Sequence, residues 1–242
     1  MYSQRVEEAV TQLACHKALK AVRAYIPPKE ILKTLRDAEV EISPVDLSRY
    51  ISGYVLPAPD KAQQILEAIH ARGLVEKVFR TAVEVDSQGV VNVPLVAYNV
   101  LLLELASSIA FLHFRREIDT VITAAINGIP LASMVASFIG ARLAVARRER
   151  ESPTIRYIEA GLFLKDPPNY VHLYVPGDSI RRGDRVLIVD DLFRTGRTFR
   201  ALLRIAEEAQ ASVVGGFSMI ALGDAWREVV SEELKLVTLV KL

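Results

Sequence analysis

Two adjacent acids, Asp190 and Asp191, close the apolar run Val186-Leu187-Ile188-Val189. Leu192 and Phe193 separate them from Arg194-Thr195-Gly196-Arg197-Thr198. Neighbouring carboxylates repel unless a cation or hydrogen-bond donor lies close, so the pair suits the hydroxyls of a ribose with a magnesium ion nearby. The Thr/Gly stretch suits an anion. Amides over residues 195–198, the hydroxyls of Thr195 and Thr198, and the positive end of a following helix together form a concave receptor for phosphate. Arg194 and Arg197 can add charge-assisted bonds to the same anion. An acidic strand end followed by an ordinary helix cap is the plainer alternative, and the co-occurrence of hydroxyls, glycine and arginines weighs against it.

Such a site needs a strand to deliver the acids and a helix to open behind the loop. Arg185 to Val189 reads as a buried strand and Thr198 to Gln210 as a helix. From about Arg80 onward β-branched runs alternate with helical patterns: Val83 to Val93 around a Ser87-Gln88-Gly89 turn, Leu95 to Phe114, Ile118 to Thr123, Leu131 to Gly140, Arg142 to Ala146 and Val213 to Ala221. Alternation with short loops predicts an α/β domain with a parallel sheet flanked by helices, which binds ligands at the carboxyl ends of its strands.

The first 75 or so residues have a different texture. Val6, Val10, Leu13, Ala14, Ala21, Val22 and Tyr25 recur at helical spacing over Ser3 to Tyr25, and Pro27-Pro28 ends that helix. A second helix starts near Pro28 with Ile31, Leu32 and Leu35 inward, and a polar connection, Asp37 to Glu41, follows. Ser43-Pro44 then predicts an N-cap and first helical residue of a short helix closed by Gly53. Asp60 to His70 forms another, with Ala62, Ile65, Leu66 and Ile69 inside. The predicted division is a small all-α domain over residues 1–78 and the α/β domain over 79–242.

The 242 residues, 51% hydrophobic and 24% charged, exceed a usual single domain and leave little room for long disorder. A single cysteine, Cys15, excludes an intrachain disulfide and reads as a buried helix residue. Glu7 and Glu8 stand where a secretory signal would be basic, so a cytoplasmic location is expected. Val121 to Ala141 lacks charge, but Asn127-Gly128 and Pro130 in its middle argue for strand, turn and helix rather than a membrane span. Net charge is +1, and residues 1–80 hold 12 Lys/Arg against 10 Asp/Glu. Bulk charge therefore does not decide nucleic-acid binding, which must rest on a motif.

Four apolar residues, two acids, two apolar residues and a Thr/Gly loop resemble the fingerprint of the type I phosphoribosyltransferases, over about residues 80–225. The resemblance implies that fold, a ribose-facing role for Asp190 and Asp191, and a grip by Thr195, Gly196 and Thr198 on the 5′-phosphate of phosphoribosyl pyrophosphate (PRPP), with magnesium accompanying the ligand. Phe193, Arg194 and Arg197 depart from the family's usual smaller residues, and the two arginines add positive charge. Thr123 to Ala132 resembles the pyrophosphate loop, which assigns Ala125, Ile126, Asn127 and Gly128 to the leaving group together with the basic pair Arg147 and Arg148. Arg147 and Arg148 also read as solvated charge. Glu149 to Val175 lies where family members carry a mobile hood. It has Lys165 but not the lysine-rich stretch of orotate-specific members, so negligible turnover with orotate is expected.

Residues 28–70 resemble the helix-turn-helix of Cro and repressor type, with Ser43 to Gly53 as recognition helix. Val45, Leu47 and Ile51 are its expected anchors. Ser43, Asp46, Ser48 and Arg49 are the candidate contacts to base edges and phosphates, flanked by Lys33, Arg36 and Lys61. A helical dimerisation or capping module is the alternative. The order of parts resembles archaeal phosphoribosyltransferase-like transcriptional regulators of the GfcR type. That implies a homodimer binding double-stranded DNA, with PRPP or a related nucleotide as effector. An active purine or pyrimidine phosphoribosyltransferase is the competing reading.

Overall fold

The computed structural model describes residues 2–87, 90–165, 168–227 and 234–242. They form two compact units, Met1–Arg115 and Arg116–Leu242.

The first unit is helical. It comprises α1 (Gln4–Tyr25), α2 (Pro28–Asp37), α3 (Pro44–Ser52), α4 (Pro59–Ala71), α5 (Leu74–Ala82), α6 (Val93–Ala97) and α7 (Val100–Phe114). Prolines occupy the first turns of α2, α3 and α4, where the missing N–H has no helical partner to lose. The buried stripe of α1 is Thr11, Ala14, Cys15, Ala18, Leu19 and Val22, whereas Val6 and Leu13 are each 42% exposed. Of the apolar residues read from the sequence, Ala14, Ala21 and Val22 are fully buried, while Val6 and Leu13 fall outside the stripe. The face that counts is set by the elements against which α1 packs, α3, α4, α5 and α7. The four predicted inner residues of α4 are all fully buried. Between α5 and α6 the predicted hairpin is a single antiparallel bridge, Val85 with Val91, and Gln88 and Gly89 of its turn lie outside the described residues.

The second unit contains a five-stranded parallel sheet in the order β2-β1-β5-β6-β7: β1 (Thr120–Ala124), β2 (Arg142–Ala146), β5 (Arg185–Phe193), β6 (Ser212–Ala221) and β7 (Lys235–Lys241). Helix α8 (Gly128–Ile139) packs on β1, β2 and β5, and α9 (Arg197–Glu208) on β1, β5 and β6. An antiparallel hairpin, β3 (Tyr157–Lys165) and β4 (Pro168–Pro176), lies where the hood was expected. Its inner residues Ile158, Ala160, Leu162, Leu173 and Val175 join the core that contains Phe199, Leu202 and Ile205 of α9. Neither the hairpin nor β7 is apparent in the sequence, since β3 and β4 carry polar and aromatic residues on their open face.

Strand β5 is longer than predicted. It pairs with β6 as far as Phe193–Ala221, so the acids sit inside the strand rather than after it. Phe193 is 3% exposed, and its ring packs against Phe199 at 5.7 Å and Trp226 at 5.5 Å between centroids. The larger residue thus fills a pocket between strand, helix and C-terminal segment. At the opposite end of the sheet Asp184 accepts from Arg142 Nη2 at 2.6 Å and from Thr120 Oγ1 at 2.9 Å, tying β1, β2 and the start of β5 together.

Candidate functional site

The loop after β5 is short because Gly196 takes a left-handed turn (φ 68°) and α9 begins at the next residue. A Cβ is disfavoured in that conformation, which explains glycine here. The first helical hydrogen bond runs from Arg200 N to Gly196 O at 2.9 Å. The amides of Arg197, Thr198 and Phe199 therefore precede it and point with the helix dipole toward the loop. Residues 192–199 with Asp190 enclose a cavity of about 70 Å³. Arg197 lies across its edge, donating from Nε to Thr195 Oγ1 at 3.1 Å and from Nη1 to the Phe163 carbonyl at 3.1 Å. Arg194 is exposed. The predicted phosphate residues are thus assembled in one place.

Asp190 is half-buried, and its Oδ1 accepts from the Asp191 amide at 3.0 Å. Desolvation, with the Asp191 carboxylate beside it, pushes the Asp190 carboxyl well above the usual carboxylate range. Gly128, at the start of α8, closes on the same acid. A Cβ there would stand 2.4 Å from Thr123 Oγ1 and 3.2 Å from Asp190 Oδ1. Gly128 is therefore packed against Thr123 and the acid. Its lack of a side chain lets the loop after β1 approach the acid pair.

Ala125, Ile126 and Asn127 instead share a cavity of about 700 Å³ with Arg147 and Arg148. The Ala125–Ile126 peptide is cis, and Ala125 N donates to the Ala146 carbonyl at 2.9 Å, so the β1 loop is pinned to the end of β2. Arg147 pairs with Glu151 through its side chain and exchanges backbone hydrogen bonds of 2.9 and 2.7 Å with Tyr174 of the hairpin. Arg148 is exposed. Glu149 and Glu151 line the same space, an acidic component that the sequence reading did not include.

Among the described residues no three His, Cys, Asp or Glu side chains gather to hold a metal ion. Two adjacent carboxylates supply part of an octahedral oxygen set, which fits a magnesium ion whose remaining ligands are water and substrate oxygens.

In the helical unit, Ser43 Oγ accepts from Asp46 N at 3.0 Å and donates to Asp46 Oδ2 at 2.7 Å, so both residues serve the cap of α3. Gly53 ends that helix with φ 73°. Leu47 is the buried residue of α3, whereas the expected anchor Val45 is 58% exposed. Ser48 and Arg49 are exposed, as are Lys33 and Arg36 on α2, while Lys61 on α4 is half-buried. Arg49 Nη1 approaches Asp46 Oδ1 at 3.7 Å, a loose surface pair.

The sequence matches the family described as "Phosphoribosyl transferase domain" over residues 100–240. It is 27% identical over 124 residues to the purine biosynthesis transcriptional repressor PurR of Bacillus subtilis, covering 51% of this chain and 44% of the repressor. It is 32% identical over 128 residues to a hypoxanthine/guanine phosphoribosyltransferase of Methanosarcina mazei, covering 51% of this chain and 64% of that enzyme. The chain thus spans only about half to two thirds of those relatives. Among solved structures, adenine phosphoribosyltransferase from Rhodothermus marinus superposes with a TM-score of 0.62 at 24% identity, over 69% of this chain and 98% of that one. No described helix is long and apolar enough to cross a membrane. With more than half of its length in the matched region, and the acids and Thr/Gly loop at the carboxyl end of a parallel sheet of that fold, the chain belongs to the phosphoribosyl transferase domain family.

Proposed function

We propose that the protein is a cytoplasmic DNA-binding transcription regulator, dimeric in its active form. In this reading the phosphoribosyltransferase domain binds PRPP or a related nucleotide as effector, and the helical segment within residues 1–78 reads double-stranded DNA. The observation that carries the reading is α3. A nine-residue helix capped at both ends buries only Leu47 and leaves Ser48 and Arg49 facing outward. A helix so placed contributes little to its own core and is available to a groove. The resemblance over part of the chain to a purine repressor supports the same reading.

On the effector side, the 5′-phosphate would sit against the amides of residues 195–198 and the hydroxyls of Thr195 and Thr198, with Arg194 and Arg197 adding charge. Asp190 and Asp191 would face the ribose hydroxyls, and Arg147 and Arg148 the pyrophosphate once Arg147 leaves Glu151. Magnesium would neutralise pyrophosphate charge near the acid pair. Calorimetric titration of PRPP with magnesium tests this. Wild type should bind and Thr195→Ala with Asp191→Asn should bind much more weakly, while equal affinity would remove the assignment.

A second reading, an active phosphoribosyltransferase, is favoured by the intact acid pair and loop and by the likeness to hypoxanthine/guanine phosphoribosyltransferases. A nucleobase would then attack the anomeric carbon as pyrophosphate leaves, with Asp190 or Asp191 stabilising the cationic ribosyl group. Release of pyrophosphate with hypoxanthine, guanine or adenine would put this reading first.

A further inference from the structure

A third cavity in the second unit, about 510 Å³, lies between the β3–β4 hairpin and the outer face of α9. Its helical wall carries Arg197, Arg200 and Arg204, three and four residues apart and so on one face, over about 10 Å of helix. Arg200 and Arg204 are exposed, and neither makes an ion pair among the described residues. Among the described residues no carboxylate lines the cavity. Asp224, next in sequence to the lining Ala225, is taken by Lys241 Nζ at 2.6 Å and Arg227 Nε at 3.3 Å. Like charges at this spacing oppose helix formation, and among the described residues no carboxylate compensates Arg200 or Arg204. The row is therefore suited to an anion longer than one phosphate.

The opposite wall is aromatic. Phe163 and Tyr170 are cross-strand partners with ring centroids 5.0 Å apart, 41% and 73% exposed. Gly161, on the same face of β3 as Phe163, has no heavy atom of the described residues within 4 Å of the position its Cβ would take. A planar base can rest against these rings, and the volume lies within the range of small-molecule sites.

We propose that this cleft is a nucleoside polyphosphate site adjoining the phosphate loop, whose Thr195 and Arg197 form its near edge, with the phosphate chain running along Arg200 and Arg204 and the base against Phe163 and Tyr170. The length of the arginine row matches a di- or triphosphate and falls short of the longer basic track that a nucleic-acid strand requires. Because Arg197 is bonded to both Thr195 and the Phe163 carbonyl, a ligand drawing on Arg197 also acts on the edge of the phosphate loop. The site requires neither DNA binding nor transferase activity.

Calorimetry on the full chain with ATP, GTP and inorganic tripolyphosphate tests it. A nucleoside triphosphate should bind, and more tightly than tripolyphosphate. The double substitution Arg200→Ala and Arg204→Ala should weaken that binding about tenfold or more, and Gly161→Leu should block it by filling the cleft. PRPP, which also draws on Arg197, should weaken nucleotide binding without displacing it stoichiometrically, and should bind the double-arginine variant as it binds wild type. A failure of PRPP to bind at all would count against the effector reading and leave the nucleotide titrations intact. Unchanged nucleotide affinity in the double-arginine variant would overturn the site, as would stoichiometric displacement by PRPP. Tripolyphosphate binding as tightly as ATP would remove the aromatic half. A single-stranded oligonucleotide binding more tightly than ATP, and lost in the same variant, would overturn the assignment to a free nucleotide.

Discussion

Asp190 is half-buried beside a second carboxylate, and both conditions disfavour its charged form. With its folded pKa above the unfolded value, the native state holds the extra proton between the two, so this residue makes stability fall as pH rises through that interval. Asp190→Asn keeps an oxygen for the Asp191 amide and removes the charge. It should melt at a higher temperature than wild type near neutral pH, with the difference shrinking as pH falls toward about 3.5, below the usual carboxylate pKa. Identical melting curves at both pH values would contradict this origin of the shift. In the proposed regulator Arg49 is the residue on which base reading would depend in the helical unit. Among the described residues its guanidinium pairs with Asp46 alone, at 3.7 Å on the surface, so its removal should leave the melting temperature nearly unchanged. Arg49→Ala should cost about 1–3 kcal/mol of DNA affinity in a gel-shift titration if the guanidinium pairs with guanine. At this scale the sequence was most readable for the acids and the Thr/Gly loop, whose residue types state their chemistry. It was silent on Glu151, because a surface glutamate four residues from an arginine looks like any other until its cavity is known.

The site's elements are held together by close backbone approaches. Gly128 lets the start of α8 lie against Thr123 and Asp190, and Gly216 in β6 does the same for α9, since a Cβ there would stand 2.6 Å from Phe199 Cε2 and 2.8 Å from Leu236 Cδ2. Gly128→Ala should therefore destabilise the protein by about 1–3 kcal/mol through overpacking. It should also weaken PRPP binding, read by denaturant unfolding and calorimetry on the same variant. Unchanged stability would mean that the β1 loop relaxes freely away from Asp190. The helices and central strands were legible from periodicity because their buried faces are continuous, as in α4 and β5. The hairpin was not, since Glu159, Gly161 and Phe163 alternate with Ala160 and Leu162 in a segment otherwise rich in charge and turn residues. On α1 the spacing located Ala14, Ala21 and Val22 but also took in Val6 and Leu13 and passed over Thr11, Ala18 and Leu19, whose burial is set by the helices packed against them.

For the whole molecule, the proposal joins two compact units with separate chemistries through one thermodynamic cycle. If PRPP alters DNA affinity by some factor, DNA must alter PRPP affinity by the same factor, because the coupling free energy belongs to both. Near-neutral bulk charge means that DNA affinity must come from a few local phosphate contacts. It should accordingly fall steeply with salt, in proportion to the number of those contacts. The central claim is tested most directly by selecting bound sequences from random double-stranded DNA with the full chain, with and without PRPP and magnesium. The account predicts enrichment of an inverted repeat with half-sites about 34 Å apart or a multiple of it, and a change in recovered DNA when PRPP is present. Recovery of unenriched DNA, the same with and without PRPP, would contradict it.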